Sequence, residues 1–285
     1  MKKIALLLCT ILAVGSFAAC SGNSADNTSN AKTKQESDTA GSSADKKAAE
    51  DVKDNPLKGK TIKVGCSATF VPFESIEMKP DGTKDYVGMN IDLINAIVKK
   101  NGGKVEYTDM PFKSLMAAIQ ANQIDMASGG MAPTEEREKT LDFSEIFFYP
   151  RNAIIYREDD NYPDLNSLKN KKVAYVFGTN YQQVAESIDG AETVGIQGSP
   201  ATIEEVKSKR ADACIVDGAG ATEFLKTNQG LKMSLLDKTD DCFAFGFPKN
   251  SPYYETINGT LKEMMSNGEL DKIIADHLSE EFILK

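Results

Sequence analysis

Short apolar runs alternate with segments of helical periodicity along most of this chain, and this alternation restricts its fold more than any other feature. The first round predicts strands at 61–64, 104–107 and 124–127, with helices at 88–100 and 112–121 between them. Alternating strands and helices favour parallel sheets that carry helices on both faces. The expected fold class is therefore α/β.

The alternation starts again near Lys171, after a long predicted strand at Asn152–Arg157. The second round predicts strands at 172–176, 192–196, 212–216, 231–236 and 242–247, helices at 180–188, 199–209 and 218–226, and two final helices. Two rounds of similar design predict two lobes. Lobe one would contain residues 57–148 and 247–285, and lobe two residues 149–246. The two connections between them would form a two-strand hinge, which permits closure around a ligand.

Residues 1–19 have the pattern of a secretory signal peptide. Two lysines precede an apolar run at 4–14, and small residues lead up to Cys20. The run is shorter than the roughly 20 residues that cross a bilayer. The segment Phe17–Cys20 resembles a lipoprotein box, which implies that Cys20 carries a lipid such as a palmitate-containing diacylglyceryl group. The alternative is an ordinary signal peptide with an incidental cysteine.

The segment after Cys20 has the composition of a tether. From Ser21 to Asn55 it has no aromatic residue, and Val52 is its only large aliphatic residue. Such a segment buries too little apolar surface to offset the entropy of ordering, so residues 20–55 are predicted to be disordered. The expected location is the extracytoplasmic face of the cell membrane, with the chain anchored through its N-terminal lipid.

Composition excludes several classes of function. The chain has 33 basic and 42 acidic side chains, and this negative balance argues against a nucleic-acid partner. The spacing of Cys66, Cys214 and Cys242 fits no zinc site, although a Cys214–Cys242 disulfide stays possible. His277 is the only histidine. No metal and no cofactor is expected.

Three groups of fragments have an informative order and spacing. They are Ala68-Thr69-Phe70-Val71-Pro72-Phe73-Glu74 with Val87-Gly88-Met89-Asn90-Ile91-Asp92-Leu93; Met110-Pro111-Phe112-Lys113-Ser114-Leu115 with Ile124–Met131, Thr134–Arg137 and Leu141–Ser144; and Gly178-Thr179-Asn180 with Val216-Asp217. Together they resemble the bacterial extracellular solute-binding proteins, family 3, from about Leu57 to His277. The resemblance implies a two-lobed, periplasmic-binding-protein-like (type II) fold. It also implies a monomeric substrate-binding protein of an ABC-type importer, which closes on a free amino acid and delivers it to a permease.

The same resemblance implies a carboxylate-binding group. Arg137 matches the residue whose guanidinium forks onto the ligand carboxylate, a geometry that lysine does not offer. The turn Gly178-Thr179-Asn180 precedes a helix, so its N–H groups would hold the same carboxylate. Two simpler interpretations stay open, because Arg137 sits in a charged run and Thr179 and Asn180 could merely cap the helix.

Other positions would bind the rest of the amino acid. Asp217 matches the acceptor of the ligand ammonium, although it could be a simple N-cap. Gly129 and Gly130 would let backbone carbonyls approach the ligand. Phe70 and Phe112 match aromatic walls around its side chain, or could be core residues.

Four positions depart from the family pattern and bear on the choice of ligand. Ser67 stands where an aspartate occurs in several members, and Ala132 where a hydroxyl is usual. Val176 and Val216 put apolar side chains where other members have lysine or histidine. The side-chain end of the pocket is therefore predicted to be weakly charged, which favours a neutral or polar amino acid over arginine or lysine.

The leading hypothesis is a binding protein that is not an enzyme. Two other classes of function stay open. Some relatives of this fold dehydrate prephenate-like or arogenate-like acids, and here Glu74 is the one loose candidate for the general acid that such a reaction needs. The other alternative is an amino-acid-sensing receptor or adhesin that uses the same ligand as a signal.

Overall fold

The structure, a computed structural model, describes residues 55–237 and 241–282. The predicted signal peptide, Cys20 and nearly all of the tether lie outside these residues. The strands within them are β1 Thr61–Cys66, β2 Thr69–Phe70, β3 Glu74–Met78, β4 Lys84–Val87, β5 Lys104–Asp109, β6 Met126–Met131, β7 Leu141–Phe143, β8 Asn152–Arg157, β9 Lys172–Val176, β10 Glu192–Ile196, β11 Ala213–Asp217, β12 Leu231–Leu235 and β13 Ala244–Pro248. The helices are α1 Met89–Lys100, α2 Phe112–Gln120, α3 Glu135–Glu138, α4 Asn180–Glu186, α5 Ser199–Lys207, α6 Gly218–Thr227, α7 Tyr254–Ser266 and α8 Glu269–His277.

The strands form two five-stranded sheets and one small sheet. The first sheet has the order β5-β1-β6-β13-β7, the second the order β10-β9-β11-β8-β12, and β2, β3 and β4 form the small sheet. This mixed α/β architecture agrees with the expected fold class. The sheets themselves differ from the expected all-parallel arrangement, because β13 runs antiparallel to β6 and β7, and β8 runs antiparallel to β11 and β12.

The antiparallel directions of β8 and β13 have the same cause. The chain enters β8 directly from the first sheet, and it enters β13 after leaving the second. Parallel neighbours are usually linked by a crossover helix. Among the described residues no such helix lies between β7 and β8 or between β12 and β13, so neither β8 nor β13 has to run parallel to its neighbours.

Apolar faces of the helices cover both sheets. In α1, Ile91, Ile94 and Ile97 follow helical spacing and are buried, and α1 packs with α7 and α8 over the first sheet. In the second sheet, Ile154 faces one apolar cluster and Ile155 the other, so β8 is buried on both faces. A strand that is covered on both faces has a continuous run of apolar residues in its sequence. The strands of the second sheet can therefore be predicted from sequence.

Two chain crossings connect the sheets and lie side by side. The N–H of Phe147 donates to the carbonyl of Phe243 at 3.0 Å, and the N–H of Phe243 donates to the carbonyl of Phe148 at 2.8 Å. The ring centroids of Phe148 and Phe243 are 5.4 Å apart. These contacts hold both connections together.

Three further findings concern the cysteines, the lengths of the helices and potential metal ligands. Cys66, Cys214 and Cys242 are buried free thiols, so the Cys214–Cys242 disulfide is not formed. Within residues 55–237 and 241–282, no helix combines the length and apolar character needed to span a membrane. The same residues contain no group of three or more His, Cys, Asp or Glu side chains arranged to hold a metal ion.

Candidate functional site

A cavity enclosing about 400 Å³, part of it open solvent, lies between segments of the two large sheets. Seven of the residues predicted from sequence line it. They are Ser67, Phe70, Phe112, Gly129, Gly130, Thr179 and Asn180. Its wall also contains Thr69, Val176, Tyr181, Ser199 and Asp241. Segments from both sheets and from the second crossing therefore meet at one site.

Arg137 lies beside this cavity, in an adjoining groove that shares Thr179 and Asn180 with it. Its guanidinium donates to the carbonyl of Ala132 at 2.8 Å and to the carbonyl of Gly178 at 3.1 Å. The guanidinium carbon lies 5.7 Å from the centroid of the Phe112 ring. Arg137 is only 9% exposed. The alternative that it belongs to a solvated, charged helix face is therefore wrong. Burial lowers its pKa, and the charges of Asp241 and Glu136 oppose that effect.

Local sequence explains how Arg137 is held. Thr134 is the N-cap of α3, and its hydroxyl accepts the N–H of Arg137 at 3.3 Å. The short helix turns the guanidinium toward Gly178, which follows β9 of the second sheet. The bond to Gly178 therefore joins segments that belong to different sheets.

The turn Gly178–Asn180 has the expected place at the start of α4. Thr179 is the N-cap by position, but its hydroxyl donates to the carbonyl of Val176 at 2.7 Å and does not cap the helix. The side-chain amide of Asn180 donates to the carboxylate of Asp241 at 2.6 Å. Both side chains are thus engaged outside the helix, and the backbone N–H of Thr179 donates to the carbonyl of Val176 at 3.3 Å.

Asp217 lies outside the cavity wall and caps a helix. It ends β11, is 2% exposed and does not line the cavity. Its carboxylate accepts the N–H of Gly220 at 2.8 Å, so it does cap α6, as the simpler interpretation required. Burial raises its pKa to about 7, against the opposing effect of the N–H donors of Gly220 and Ala219.

Gly129 and Gly130 both have positive φ angles, 123° and 66°. A β-carbon at position 130 would lie 2.8 Å from the ring of Phe70 and 2.9 Å from that of Phe243. Position 130 therefore requires glycine for its conformation and for the close approach of the rings. Phe70 also stacks on Phe73, with ring centroids 4.6 Å apart, so it belongs to both the wall and the core.

Glu74 lies behind the cavity wall rather than in it. It is fully buried, and its carboxylate accepts the N–H of Ser67 at 3.1 Å and the amide of Asn90 at 3.0 Å. The hydroxyl of Ser128 forms a further hydrogen bond to it. Burial raises the pKa of Glu74 to about 7. These contacts position the backbone of Ser67, and they do not aim the carboxyl group into the cavity.

Two residues that suggested a weakly charged pocket do not line it. Ala132 presents its carbonyl to Arg137 and is absent from the cavity wall. Val216 packs into the apolar cluster on one face of the second sheet, because successive residues of a strand point to opposite faces. Val176 does line the cavity, with Ser67.

Sequence reasoning missed Asp241 and Tyr181. Asp241 is 9% exposed, and its carboxylate also accepts the N–H of Cys242 at 2.9 Å. Burial together with the charges of Asp217 and Asp241 raises the pKa of Tyr181 well above its usual range. The available signals were an acidic residue three residues before the returning strand β13 and an aromatic residue inside the first turn of α4.

Comparison with known proteins now decides the family. The profile of the bacterial extracellular solute-binding proteins, family 3, matches residues 62–280. The chain belongs to this family. The order of the fragments in the sequence had implied this membership, and the match extends over nearly all the described residues.

Individual proteins of similar sequence and structure agree with this assignment. The arginine-binding extracellular protein ArtP of Bacillus subtilis (strain 168) is 32% identical over 220 residues, which cover 75% of this chain and 84% of the relative. An ancestral arginine-binding protein, solved with bound arginine, is 33% identical and has a TM-score of 0.71, covering 78% of this chain and 100% of that one. An ancestral amino-acid-binding protein that is a precursor of cyclohexadienyl dehydratase is 29% identical, with a TM-score of 0.68, covering 77% and 96%.

Proposed function

We propose that this family member is the substrate-binding protein of an ABC-type amino acid importer. The observation that carries the proposal is the Arg137–Gly178 bond beside a cavity lined from both sheets. It puts a buried cation and the first turn of α4 at one place, where a free carboxylate could be held. The names of its relatives support amino acids as the ligand class.

Arg137 would bind the ligand carboxylate. A guanidinium has five N–H donors, and its bonds to Ala132 and Gly178 leave donors for a ligand. The N–H of Asn180, at the start of α4, would bind the same carboxylate. Phe70 and Phe112 would cover the ligand side chain, and the backbone at Gly129 and Gly130 would contact its polar atoms, with Ser67 beside them.

Asp217 would receive the ligand ammonium. Its raised pKa reflects a buried carboxyl group beside the negative charge of Asp241, with hydrogen-bond donors from α6 only partly offsetting burial. A cation placed nearby would favour the ionised form and lower that pKa. Binding would then convert an unfavourably buried charge into a paired one.

Closure would couple binding to transport. The ligand would touch lobe one, residues 57–148 and 247–285, and lobe two, residues 149–246, only when the cleft is shut. That difference in contacts lets a ligand shift the open–closed equilibrium. The paired crossings at Phe147–Phe148 and Phe243 would be the hinge, and the permease would recognise the closed form.

The ligand preference inferred from sequence is not retained. It rested partly on Ala132 and Val216, which do not line the cavity, and it overlooked Asp241, which does. Relatives named for arginine also argue against excluding cationic ligands. The proposed ligand class is free amino acids, including basic ones.

Binding rather than catalysis is proposed because Glu74 is enclosed by Ser67, Asn90 and Ser128. No feature of the described site favours a dehydratase. The family consists of extracellular proteins, and we propose that this chain is held at the membrane through a lipid on Cys20 and the tether at 20–55. Fractionation of cells that express Cys20→Ala tests this, because a variant that stays with the membrane contradicts the anchor.

A thermal-shift screen of the purified chain against all common amino acids tests the function. A ligand at about 100 times its dissociation constant stabilises the folded state by roughly 2.7 kcal/mol. At least one amino acid should raise the melting temperature clearly. If none does, the proposed ligand class is wrong.

A further inference from the structure

Ser199 is a residue of the cavity wall for which the proposed contacts provide no role. It is the first residue of α5 and directly follows Gly198, the N-cap of that helix. Ser199 is 7% exposed and lines the cavity. Within residues 55–237 and 241–282, its hydroxyl group forms no hydrogen bond. A polar group that is enclosed without a partner raises the free energy of the protein, and a ligand that supplies a partner removes this cost.

The order of the strands in the second sheet puts Ser199 at one side of the site. Strand β9 has β10 on one side and β11 on the other, and the three strands are parallel. Their carboxyl ends therefore lie side by side along one edge, with adjacent strands about 4.8 Å apart. Ser199 comes after β10, Asn180 comes after β9, and Asp217 ends β11. Asn180 thus lies between the other two residues.

This order sets the direction of the ligand side chain. An amino acid carries its carboxylate, its ammonium group and its side chain on a single carbon atom. In the proposed binding mode, the carboxylate lies at Arg137 and Asn180, and the ammonium group lies toward Asp217. The side chain is then directed to the remaining side, which is the end of β10 and Ser199.

A strand of the small sheet completes this end of the cavity. A β-carbon at position 198 would lie 3.1 Å from the hydroxyl oxygen of Thr69, so the start of α5 packs against β2. Thr69 also lines the cavity. The hydroxyl groups of Thr69 and Ser199 therefore lie at the same end, and each can both donate and accept a hydrogen bond. They can bind a guanidinium, an amide or a hydroxyl group, whereas an apolar side chain would leave Ser199 without a partner.

We propose that Ser199 is a specificity-determining residue of the ligand site, whose hydroxyl binds a polar group at the end of the ligand side chain. This inference rests on the proposed function and deepens it. The substrate class becomes amino acids whose side chain ends in a hydrogen-bonding group, whether that group is charged or neutral. Amino acids with an apolar side chain of similar length are disfavoured, because they leave the enclosed hydroxyl unpaired.

Arginine, glutamine and norleucine are the probes for the test, because the first two end in polar groups and norleucine has an unbranched side chain without a polar atom. Calorimetric titration of the purified chain should show that arginine or glutamine binds at least about tenfold more tightly than norleucine. In Ser199→Ala, the affinity for the tighter of the two polar probes should fall about tenfold, whereas the affinity for norleucine should change by less than about twofold.

Ser208→Ala is the matched control. The exposed Ser208 hydroxyl lies at the other end of α5 and donates to the carbonyl of Glu204 at 2.6 Å. This variant should leave all three affinities unchanged.

Failure of this inference and failure of the proposed function give different results. If norleucine binds the native chain as tightly as both polar probes, the inferred substrate class is wrong although amino acid binding stands. If Ser199→Ala weakens all three probes equally, or weakens none, Ser199 does not bind the ligand side chain. If Ser199→Ala does not fold, Ser199→Cys should lose the same preference, since it keeps the side-chain volume and replaces a strong hydrogen-bonding group by a weak one. If no amino acid binds, the proposed function itself fails.

Discussion

Asn152 and Asp217 lie directly opposite each other in the antiparallel pair of β8 and β11. Opposed residues of such a pair project their side chains to the same face. Asn152 is fully buried, and among the described residues neither its amide nitrogen nor its amide oxygen has a hydrogen-bond partner. An amide thus occupies the apolar region beside the carboxyl group of Asp217 without contributing a side-chain hydrogen bond to the fold.

Replacing Asn152 by leucine should therefore stabilise the ligand-free protein. A buried polar group without a partner costs about 1–3 kcal/mol, and an apolar group of similar size avoids that cost. Urea denaturation should show a gain of up to this size. Asn258→Leu is the matched control, because the Asn258 amide oxygen accepts the N–H of Glu145 at 2.8 Å. That variant should lose stability, and equal effects of both substitutions would contradict the explanation.

Arg137→Ala should abolish most of the affinity for an amino acid. Removing one partner of a buried charge pair costs about 2–5 kcal/mol, or roughly 30- to several-thousand-fold in affinity. Arg137→Lys should also bind weakly, because a lysine cannot bridge the carbonyls of Ala132 and Gly178 and a carboxylate together. Titration calorimetry measures both. Arg210→Ala, which removes a 57% exposed arginine side chain paired with Glu205, should bind as the native chain does.

Ligand affinity should rise with pH through the titration of Asp217. Its pKa is raised to about 7 in the free protein, and an ammonium binds the ionised form. Between about pH 5.5 and pH 8, affinity should increase by roughly 30-fold, with release of a proton on binding. Asp217→Asn should bind weakly with a flatter pH profile. A native profile that is flat over this range would remove Asp217 as the acceptor.

The stability of the ligand-free protein should fall as the pH rises. Glu74 has a folded-state pKa of about 7, above its ordinary value of 4.5. A raised pKa means that the stabilising contribution is complete below about pH 4 and is lost as pH rises through about 7. Glu74→Gln should remove on the order of 1–3 kcal/mol of this dependence. Thermal unfolding at several pH values measures this pH dependence of stability. If the dependence is the same in the variant as in the native chain, Glu74 is not responsible for it.

Gly130→Ala should weaken both the fold and the binding site. The new β-carbon would meet the rings of Phe70 and Phe243 at under 3 Å, at a positive φ. We expect a loss of about 1–3 kcal/mol in unfolding free energy and a clear loss of affinity. Gly259→Ala in α7 is the control, since nothing lies within 4 Å of its β-carbon. It should stabilise the helix by up to about 1 kcal/mol.

The long, amphipathic elements were predictable from sequence because periodicity is local. The helix predicted at 88–100 is observed at Met89–Lys100, and the helix predicted at 112–121 is observed at Phe112–Gln120. The small sheet β2-β3-β4 was missed, because its strands are short and only partly buried and leave no periodic signal. The strand predicted at 124–127 is observed at Met126–Met131, since two glycines with positive φ continue the strand.

Residues of the candidate site could be predicted from sequence only where the motif that identifies them lies within one short segment. The turn at Gly178–Asn180 lies in a single fragment, and the structure puts Thr179 and Asn180 on the cavity wall. Asp241 reaches the same wall through the second crossing, 61 residues away in sequence from Asn180. A single sequence gives no local pattern for such a pairing. Asp217 shows the converse case, because its position also suits an N-cap and the structure uses it as one.

The interleaved connection of the sheets has a consequence for how the chain acquires its structure during export. The second sheet draws all its strands from one continuous stretch, 152–235, whereas the first sheet needs β13 at Ala244–Pro248 between β6 and β7. A chain that crosses a membrane from its N-terminus presents β6 and β7 long before that strand arrives. The facing edges of β6 and β7 stay unpaired over this interval, because β13 is the strand that pairs with both.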